Sequence, residues 1–400
     1  MMLDVDDKDT KIKVSTISYF DVNQKNGGAI FAKNLDTFLN TSNSFLSSIY
    51  CNIKKGYSEK VEALENRTSI GISAKLKQWV LKNNLFELTI YFLRNDLNAL
   101  KLLIGLRLKK QIDDNSILLF HDHLTLFYAG LFFNLSKRKV VLIMHNDGNP
   151  IDMITLGIQT VWKRKLLSNY LAYQMTKVVR HVDKAVFLCD KAKHRFLNAY
   201  QLSNEKAISI PNGIKPLDGV NFSERKGNRI KFITVCTLNE RKGIDLLIEA
   251  IPIINNTFEE KIEFVVVGDG PLITELYALS RLHLNLNVMG ESSQVAELLA
   301  ESDVFFLLSR NEGQPLSILE ALRASLIVLT TDVGCSSSMV NDSNGILVNP
   351  NVQEIVDGVT ALVINWDMYE QKRINSKKIF NELFQEQKMY NSYKKLFSSL

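Results

Sequence analysis

Residues 303–325, DVFFLLSRNEGQPLSILEALRAS, contain two glutamates, Glu312 and Glu320, separated by a Gly and a Pro. If the whole stretch were one helix, its rise would place the two carboxylates roughly 12 Å apart along the axis and about 80° apart around it. The apolar run at 303–309 instead has the length of a strand, and Pro315 suits the first turn of a helix. The stretch therefore predicts a strand, a turn and a helix, with Glu312 in the loop and Glu320 in the first turn of the helix. Both glutamates can then border one pocket.

Short β-rich runs alternate with amphipathic helical stretches along most of the chain, a pattern typical of parallel sheets covered by helices. The predicted strands cover residues 13–18, 117–120, 140–144 and 185–189 in the first half and 231–236, 263–268, 304–309 and 326–331 in the second. Residues 211–228 are rich in Pro, Gly, Asn and charged residues, as expected for a linker. The sequence therefore predicts two α/β domains with a boundary near residue 225.

The composition is that of a soluble globular chain of about two domains, since 46% of the 400 residues are hydrophobic and 23% are charged. The acidic start of the sequence lacks the apolar segment of a secretory signal. The best candidate for a membrane span, residues 117–133, contains His121, Asp122 and His123 within its apolar run. We therefore expect a chain that does not cross a membrane.

Four cysteines, Cys51, Cys189, Cys236 and Cys335, are scattered along the chain with no paired spacing. This distribution argues against both a zinc site and a disulfide framework. It favours a location in the reducing cytoplasm.

The net charge of +5 hides an asymmetry, because residues 101–200 contain 16 Lys and Arg against 7 Asp and no Glu. This segment is therefore +9 and the rest of the chain −4. Its clusters at 107–110, 137–139 and 163–165 are able to attract anionic lipid headgroups or an acidic acceptor, although a merely solvated basic face is an equal alternative. Nucleic acid is not an expected partner, since no recognisable nucleic-acid-binding motif accompanies the charge.

Ligands of open α/β sheets bind beyond the carboxyl ends of the strands, where helix N-termini point their backbone N–H groups. Gly27 and Gly28 follow the first predicted strand, and a glycine there lets backbone approach a phosphate, although a plain turn is an equal interpretation. His145 ends the strand at 140–144, where a solvated histidine is the simpler alternative. Arg241 and Lys242 follow the strand at 231–236 and are suited to neutralise a diphosphate.

Two further motifs have structural interpretations of equal or greater weight. The sequence GDGP at 268–271 ends a strand, and a Gly-x-Gly at such a turn is structural more often than functional. Ser317 and Glu320 match a capping box, in which the glutamate closes back onto the start of its helix.

Taken together, PNG at 211–213, RKG at 241–243, GDGP at 268–271 and EGQPLSILEA at 312–321 resemble motifs of the retaining glycosyltransferases of family 4, which have the GT-B fold. The resemblance is strong from about residue 181 to 350. It implies two Rossmann-like domains with parallel sheets facing a central cleft. These would be an acceptor-binding domain at 1–225, a nucleotide-sugar-binding domain at 226–380 and a C-terminal helix at 381–400 able to return to the first domain.

The same resemblance assigns roles to individual residues. It implies that Glu320 holds the donor ribose, that Glu312 lies by the transferred sugar and that Lys242 binds the diphosphate. The loop between the glutamates would offer backbone N–H groups to the sugar and the diphosphate, and it comprises Gly313, Gln314, Pro315, Leu316 and Ser317. One departure is Thr237, which stands where the family often has an arginine; Arg241 is the residue able to replace that charge.

The implied reaction is transfer of a sugar, with retention, from a nucleotide-diphosphate donor (UDP-sugar favoured) to a glycan or lipid-linked acceptor in bacterial surface polysaccharide synthesis. His145 and Glu312 would orient the sugar. Breaking the sugar–phosphate bond builds negative charge on the diphosphate, which Lys242 and Arg241 are placed to stabilise. We therefore expect no metal and no cofactor, since the Asp-x-Asp at Asp4 and Asp6 precedes any strand.

Two other functions remain open at this stage. A sugar-nucleotide epimerase of GT-B fold would use the same donor without an acceptor. A catalytically silent, glycan-binding partner of a true transferase is the alternative that Thr237 keeps open. Turnover of a sugar nucleotide distinguishes either enzyme from the silent partner. A dehydrogenase is not expected, because Gly-x-Gly-x-x-Gly is missing after the first strands.

Overall fold

The computed structural model of the chain describes residues 11–18, 27–42, 44–51, 96–155, 161–217 and 228–400. The first sheet is parallel throughout and has the order β2-β1-β3-β4-β5-β6. Its strands are β1 (Ile12–Ser18), β2 (Phe45–Cys51), β3 (Ile117–Phe120), β4 (Val140–Met144), β5 (Lys184–Phe187) and β6 (Ala207–Ser209). The helices described beside it are α1 (Gly27–Asn40), α2 (Leu97–Leu108), α3 (His123–Phe132), α4 (Pro150–Thr155), α5 (Val161–Val179) and α6 (Asp190–Ala199).

The second sheet is also parallel, with the order β12-β11-β10-β7-β8-β9. Its strands are β7 (Ile230–Val235), β8 (Ile262–Val267), β9 (Leu286–Gly290), β10 (Val304–Leu307), β11 (Ile327–Thr331) and β12 (Gly345–Val348). Its helices are α7 (Ile244–Phe258), α8 (Ile273–Ser280), α9 (Val295–Ala300), α10 (Leu316–Arg323), α11 (Val352–Ile364) and α12 (Trp366–Leu383), and the chain ends with α13 (Glu386–Ser398). Two parallel sheets flanked by helices confirm the predicted α/β class and its GT-B arrangement.

Each sheet is doubly wound, so that its chain order reverses at one place. In the second sheet the reversal lies between β7 and β10, which are neighbours in the middle. Crevices at such reversals, beyond the carboxyl ends of the strands, are where α/β sheets bind ligands. The loops after β7 and β10, which carry Lys242 and Glu312, therefore meet at the expected position for a site.

Both faces of the first sheet are covered by apolar cores. One core joins Leu118, Phe120 and Leu142 to α2, α3, α5 and α6. The other joins Val14, Leu119 and Val141 to α1 and to the C-terminal helix α13. The last helix of the chain therefore packs on the first sheet, with Tyr393 fully buried against it.

The domain boundary expected near residue 225 lies outside the described residues. On its two sides, the first sheet ends with β6 and the second begins with β7. Asp4 and Asp6 also fall outside the described part of the chain. Residues 117–133, the best candidate for a membrane span, form β3 and α3, with Asp122 capping α3 through the Thr125 N–H. Among the helices that the structure describes, none has the length and apolarity needed to cross a bilayer.

The cysteine interpretation was wrong for one pair. Cys189 and Cys335 form a disulfide, with their Cα atoms 5.8 Å apart. The two residues are 146 positions apart in sequence, and they meet only because the loop after β11 reaches the start of α6 across the domains. Sequence spacing carries no information about such a pair. Cys51 and Cys236 remain thiols.

Candidate active site

The first part of the site is a short cationic turn between β7 and α7. Residues Glu240–Lys242 form a 3-10 turn that Asn239 caps by accepting a hydrogen bond from the Lys242 N–H. Gly243 follows with φ 71°, and a Cβ atom at this position would overlap the Leu308 carbonyl oxygen. Glycine is therefore required for the cationic turn to lie against the loop after β10. The turn holds Arg241 and Lys242 at the place that the sequence predicted.

Glu312 lies in the facing loop and is 8% exposed. Its Oε1 is 2.5 Å from Lys242 Nζ and accepts a 2.7 Å hydrogen bond from Ser309 Oγ. Arg241 Nη1 is 3.9 Å from the same oxygen and donates to the Asn311 carbonyl at 3.1 Å. One buried carboxylate therefore faces two cations, of which Lys242 is largely buried and Arg241 is half exposed.

A second ion pair fixes the cationic turn to the loop after β10. Arg310 donates to both oxygens of Asp245, at 2.7 and 2.5 Å, and its N–H donates to the Arg241 carbonyl. Asp245 is the second residue of α7. Neither Arg310 nor Asp245 was predicted as part of the site, and each resembles an ordinary surface charge in sequence. Their role follows only from the pairing of β7 with β10.

Gly313 brings the second domain against the first. A Cβ atom at Gly313 would overlap the His145 carbonyl oxygen, so the two backbones touch. Gly334, with φ 57°, lies in equally close contact with the carbonyls of Glu312 and Gly313. The Cys335 N–H donates to the Gly313 carbonyl at 2.8 Å. The structure therefore joins three predicted residues, His145, Glu312 and Lys242, through one continuous set of contacts.

His145 belongs to a pair that the sequence did not reveal. His121 Nδ1 is 2.8 Å from His145 Nε2, so one ring donates to the other. Phe31 packs edge-on against both rings, at 5.7 and 5.2 Å between centroids. Burial lowers the pKa of His145 to about 4, and burial followed by the proximity of His145 lowers the pKa of His121 well below its usual value. Both rings are therefore neutral near pH 7.

The histidines line a cavity of about 190 Å³ beyond the ends of β3 and β4. His123, Asn146 and Pro150 complete the part of its wall nearest to His145. Phe31 lies one turn after the start of α1, which begins at Gly27. Gly28 follows β1 as predicted, but it lies within the first turn of α1 rather than before the helix.

A larger cavity of about 350 Å³ lies beyond the ends of β7, β8 and β9. Thr237, Gly268, Asp269 and Glu291 line it. Its volume is in the range of small-molecule sites. Burial raises the pKa of Cys236, another wall residue, to about 11, and Lys242, Glu312 and Arg241 act on that thiol electrostatically. The cavity therefore adjoins the cationic turn.

The GDGP motif forms one rim of this larger cavity. Gly268 and Gly270 have φ values of 137° and 158°, and Cβ atoms there would overlap backbone of Cys236 and Leu238. The motif thus packs two loops together, as the structural interpretation expected. It also contributes Asp269 to the cavity wall, which that interpretation did not anticipate.

Glu320 lies on α10, but the capping-box interpretation was wrong. The helix begins at Leu316, with Pro315 at the N-cap and no side-chain cap hydrogen bond. Glu320 is therefore in the second turn rather than the first, and Ser317 is not the cap. Burial raises the pKa of the Glu320 carboxyl, with Arg323 acting in the opposite direction.

The loop between the glutamates has a mixed composition. Gly313, Leu316 and Ser317 are partly exposed, whereas Gln314 and Pro315 are buried. Pro315 has no N–H to offer, so its contribution is to the shape of the loop. Gln314 Oε1 accepts a 2.6 Å hydrogen bond from the N–H of Asn212, in the PNG motif. That motif thus joins the segment between the sheets to the loop.

Comparisons with known proteins find relatives both in sequence and in fold. Residues 220–379 match the family model of the glycosyl transferases group 1. The chain is 25% identical over 228 residues to the GPI3 subunit of the phosphatidylinositol N-acetylglucosaminyltransferase of Saccharomyces cerevisiae, covering 50% of this chain and 50% of that protein. The chain therefore spans about half the length of such curated relatives.

Two solved structures are similar over nearly the whole fold. Anabaena HepE in complex with UDP superposes with a TM-score of 0.64 at 14% identity, over 98% of this chain and 100% of that one. The lipopolysaccharide outer core galactosyltransferase WaaB superposes with a TM-score of 0.66 at 16% identity, over 97% and 100%. The similarity to the group 1 glycosyl transferases therefore lies in residues 220–379, and the similarity to the two solved structures shows the fold.

Proposed function

We propose that this protein is a retaining glycosyltransferase that moves a sugar from a nucleoside-diphosphate donor to a glycan or lipid-linked acceptor. The observation that carries the proposal is the convergence of Lys242, Arg241 and Glu312 near a 350 Å³ cavity, next to Gly313, whose backbone contacts the His145 carbonyl of the other domain. Two cations suit a diphosphate, the cavity suits a base, and the opposite domain is free to present an acceptor.

We favour a UDP-sugar as the donor. Asp269 and Glu291 line the cavity, and carboxylates accept hydrogen bonds from the N–H groups of a base or from ribose hydroxyls. The structurally similar HepE binds UDP. In this arrangement Glu320 holds the ribose, and the loop from Gly313 to Ser317 covers the diphosphate and the sugar.

The chemistry that we propose begins with departure of the diphosphate. Negative charge grows on its oxygens as the sugar–phosphate bond breaks, and Lys242 and Arg241 neutralise that charge. Before the donor binds, Lys242 is paired with Glu312. A diphosphate that attracts Lys242 would release Glu312 to accept hydrogen bonds from the sugar. Because cations supply the needed charge, we propose that transfer requires no metal and no cofactor.

Retention of the anomeric configuration requires attack from the face that the diphosphate leaves. We propose that the acceptor hydroxyl attacks on that face, with the leaving phosphate taking its proton. The neutral His145 ring is suited to donate a hydrogen bond to a sugar hydroxyl, or to accept one from it, without introducing charge. The His145 backbone also contacts Gly313 at the junction of the two domains, which supports this role.

The acceptor and the location are also proposals. Similar proteins include a phosphatidylinositol N-acetylglucosaminyltransferase component and a lipopolysaccharide outer core galactosyltransferase, and both names refer to a lipid or to a lipid-linked glycan. We propose a similar acceptor, a role in bacterial surface polysaccharide synthesis and a location at the membrane.

A donor screen tests the proposal directly. Purified protein is incubated with UDP-, GDP- and ADP-sugars, and release of the nucleotide and the anomer of the product are followed by NMR. We expect slow release of UDP from one UDP-sugar without added metal, faster with acceptor, and a product of unchanged anomeric configuration. An epimerised sugar nucleotide would establish the epimerase instead, and no turnover of any donor would establish the silent partner.

A further inference from the structure

Three helices cover one face of the first sheet as a single layer. Buried residues of α2, α3 and α5 belong to the same apolar core, which includes Leu103, Ala129 and Met175. Because their inner sides share this core, the outer sides of α2, α3 and α5 point away from the sheet in a common direction. We call the outer side of this layer the outer face.

The outer side of α5 carries a row of large apolar residues. Trp162, Leu166 and Tyr173 are spaced four and seven residues apart, which aligns them within about 40° on a helix. They are 51%, 52% and 55% exposed. Residues of the opposite side, such as Leu167 and Leu171, are fully buried. The helix is therefore apolar on both sides, unlike an ordinary surface helix.

The neighbouring helices repeat this pattern. On α2, Leu97, Ile104 and Leu108 are spaced seven and four residues apart and are exposed, with Leu108 at 76%. On α3, Leu131 is 70% exposed. Isolated apolar residues on a surface need no explanation, but apolar residues on three adjacent helices that face one direction mark an interaction surface.

The charged residues in and directly after α2 and α5 all have the same sign. Residues 97–110 and 161–180 contain nine Lys and Arg and no Asp or Glu. Lys163 is buried, and the other eight are exposed: Lys101, Arg107, Lys109, Lys110, Arg164, Lys165, Lys177 and Arg180. The Lys177 ammonium lies 5.4 Å from the centre of the Tyr173 ring. The basic asymmetry of the sequence is thus concentrated around the apolar rows.

We propose that the outer face docks on an anionic phospholipid bilayer. Apolar and aromatic side chains enter the interface between headgroups and acyl chains, while Lys and Arg stay at the phosphates. Each cation near an anionic surface adds to the affinity. The face fits a second copy of the chain poorly, because two faces of the same charge repel. It fits nucleic acid poorly, because the apolar rows would have no partner among phosphates.

The position of the face suits the proposed lipid-linked acceptor, and to that extent the inference rests on the proposed function and deepens it. Helix α4 packs against α5 and contributes Pro150 and Ile154 to the cavity beside His145. Trp162 is at the end of α5 that is nearest in sequence to α4. A bilayer on this face would therefore lie close to the acceptor side of the site.

Vesicle flotation tests the proposal with the intact protein and without any donor or acceptor. Phosphatidylcholine vesicles with and without phosphatidylglycerol are used, in low and in high salt. We expect binding only with phosphatidylglycerol and a large loss in high salt. Trp162→Ser with Leu166→Ser, and separately Lys101→Glu with Lys165→Glu, should each lower the partition coefficient by about tenfold or more.

Matched controls come from the second domain. Leu282→Ser with Leu284→Ser removes two exposed leucines, and Lys261→Glu with Lys378→Glu removes two exposed lysines. Neither should change vesicle binding, and all variants should keep the melting temperature of the wild type. Brominated lipids should quench tryptophan fluorescence in the wild type but much less in Trp162→Phe.

Several results would overturn the proposal. The first is absence of binding to phosphatidylglycerol vesicles in low salt. The second is unchanged vesicle binding of the Trp162 and Leu166 variant. The third is a wild-type protein that forms a dimer and does not bind vesicles, if the same variant is a monomer. Because no step uses sugar nucleotide, a failed donor screen leaves the vesicle result intact, and the reverse also holds.

Discussion

Lys242 Nζ lies 2.5 Å from Glu312 Oε1, and the two side chains are 14% and 8% exposed. The lysine follows β7 and the glutamate follows β10, the two central strands between which the order of the second sheet reverses. In the proposed reaction, this ion pair lies where the diphosphate and the sugar would meet. A donor would then compete with Glu312 for the lysine, which would couple donor binding to release of Glu312.

Glu312→Gln should have opposite effects on catalysis and on nucleotide binding. Loss of the carboxylate removes the group facing the sugar, so kcat should fall by about tenfold to a hundredfold, since roughly 1.4 kcal/mol corresponds to each factor of ten. Lys242 loses its competing charge, so the affinity for UDP should stay the same or rise. Calorimetry with UDP and steady-state kinetics measure both effects, with exposed Glu275→Gln as the control. Full activity in the variant would remove Glu312 from the site.

Glu320→Gln should affect donor binding rather than stability. The ribose does not change during the reaction, so its hydrogen bonds act equally in the ground and transition states. Loss of a charged hydrogen bond should weaken donor binding by about 1.5 to 3 kcal/mol. The donor KM should rise by the corresponding factor, with a smaller effect on kcat. The melting temperature should not fall, because Pro315 rather than a capping box begins α10. An unchanged KM would disprove the ribose assignment.

Variants at Arg241 and Thr237 test whether Arg241 supplies the positive charge that the family often has at the position of Thr237. Arg241 lies 3.9 Å from Glu312, and Thr237 is exposed at the wall of the larger cavity. Arg241→Gln should weaken UDP binding by about tenfold, as expected for one charge-assisted hydrogen bond. Thr237→Arg added to that variant should restore part of the affinity, since it puts a cation in the wall of the cavity next to the cationic turn. If Arg241→Gln binds UDP normally, Lys242 alone carries the diphosphate.

All eight predicted strands formed, whereas β2, β6, β9 and β12 were missed. The four missed strands are the two edges of each sheet. Central strands of a parallel sheet are buried on both faces and appear in sequence as continuous apolar runs. An edge strand such as β2, FLSSIYC, alternates buried and exposed residues and includes polar ones. Its sequence therefore lacks the signal by which the others were found.

The positions of the candidate site residues were predictable to the same degree and for a related reason. Lys242, Glu312 and His145 follow central strands, so recognising the strand also located the residue. Contacts between the domains left no local signal, because they join residues more than a hundred positions apart, such as Asn212 with Gln314. His121 follows a predicted strand, but nothing in the sequence states that its ring meets that of His145. Side-chain pairs across strands depend on register and rotamer, which spacing does not encode.

The disulfide between Cys189 and Cys335 should stabilise the contact of the two domains. Closing a loop of 146 residues contributes about 2 to 5 kcal/mol when the chain-entropy effect is considered. Reduction with dithiothreitol should therefore lower the melting temperature of the wild type. The double variant Cys189→Ser with Cys335→Ser should melt at this lower temperature, and dithiothreitol should not change its melting temperature. Alkylation of the urea-unfolded, unreduced chain, followed by mass spectrometry, should modify Cys51 and Cys236 only; modification of all four cysteines without reductant would contradict the bond.

The buried histidines predict a loss of stability in mild acid. Burial lowers the pKa of His123 and of His145 to about 4 in the folded protein, whereas histidine in the unfolded chain titrates near about 6.5. The unfolded state therefore binds protons first as the pH falls, and stability is lost between about pH 6.5 and 4. Each histidine contributes a slope of about 1.4 kcal/mol per pH unit within that window.

Urea unfolding of the wild type and of His123→Asn from about pH 4.5 to 7.5 measures this slope, because the difference between the two proteins cancels the other titrating groups. The variant should show a slope smaller by about 1.4 kcal/mol per pH unit. The control variant His181→Asn, at an exposed histidine, should keep the slope of the wild type. Equal slopes in all three proteins would mean that His123 is hydrated enough to be protonated in the folded state.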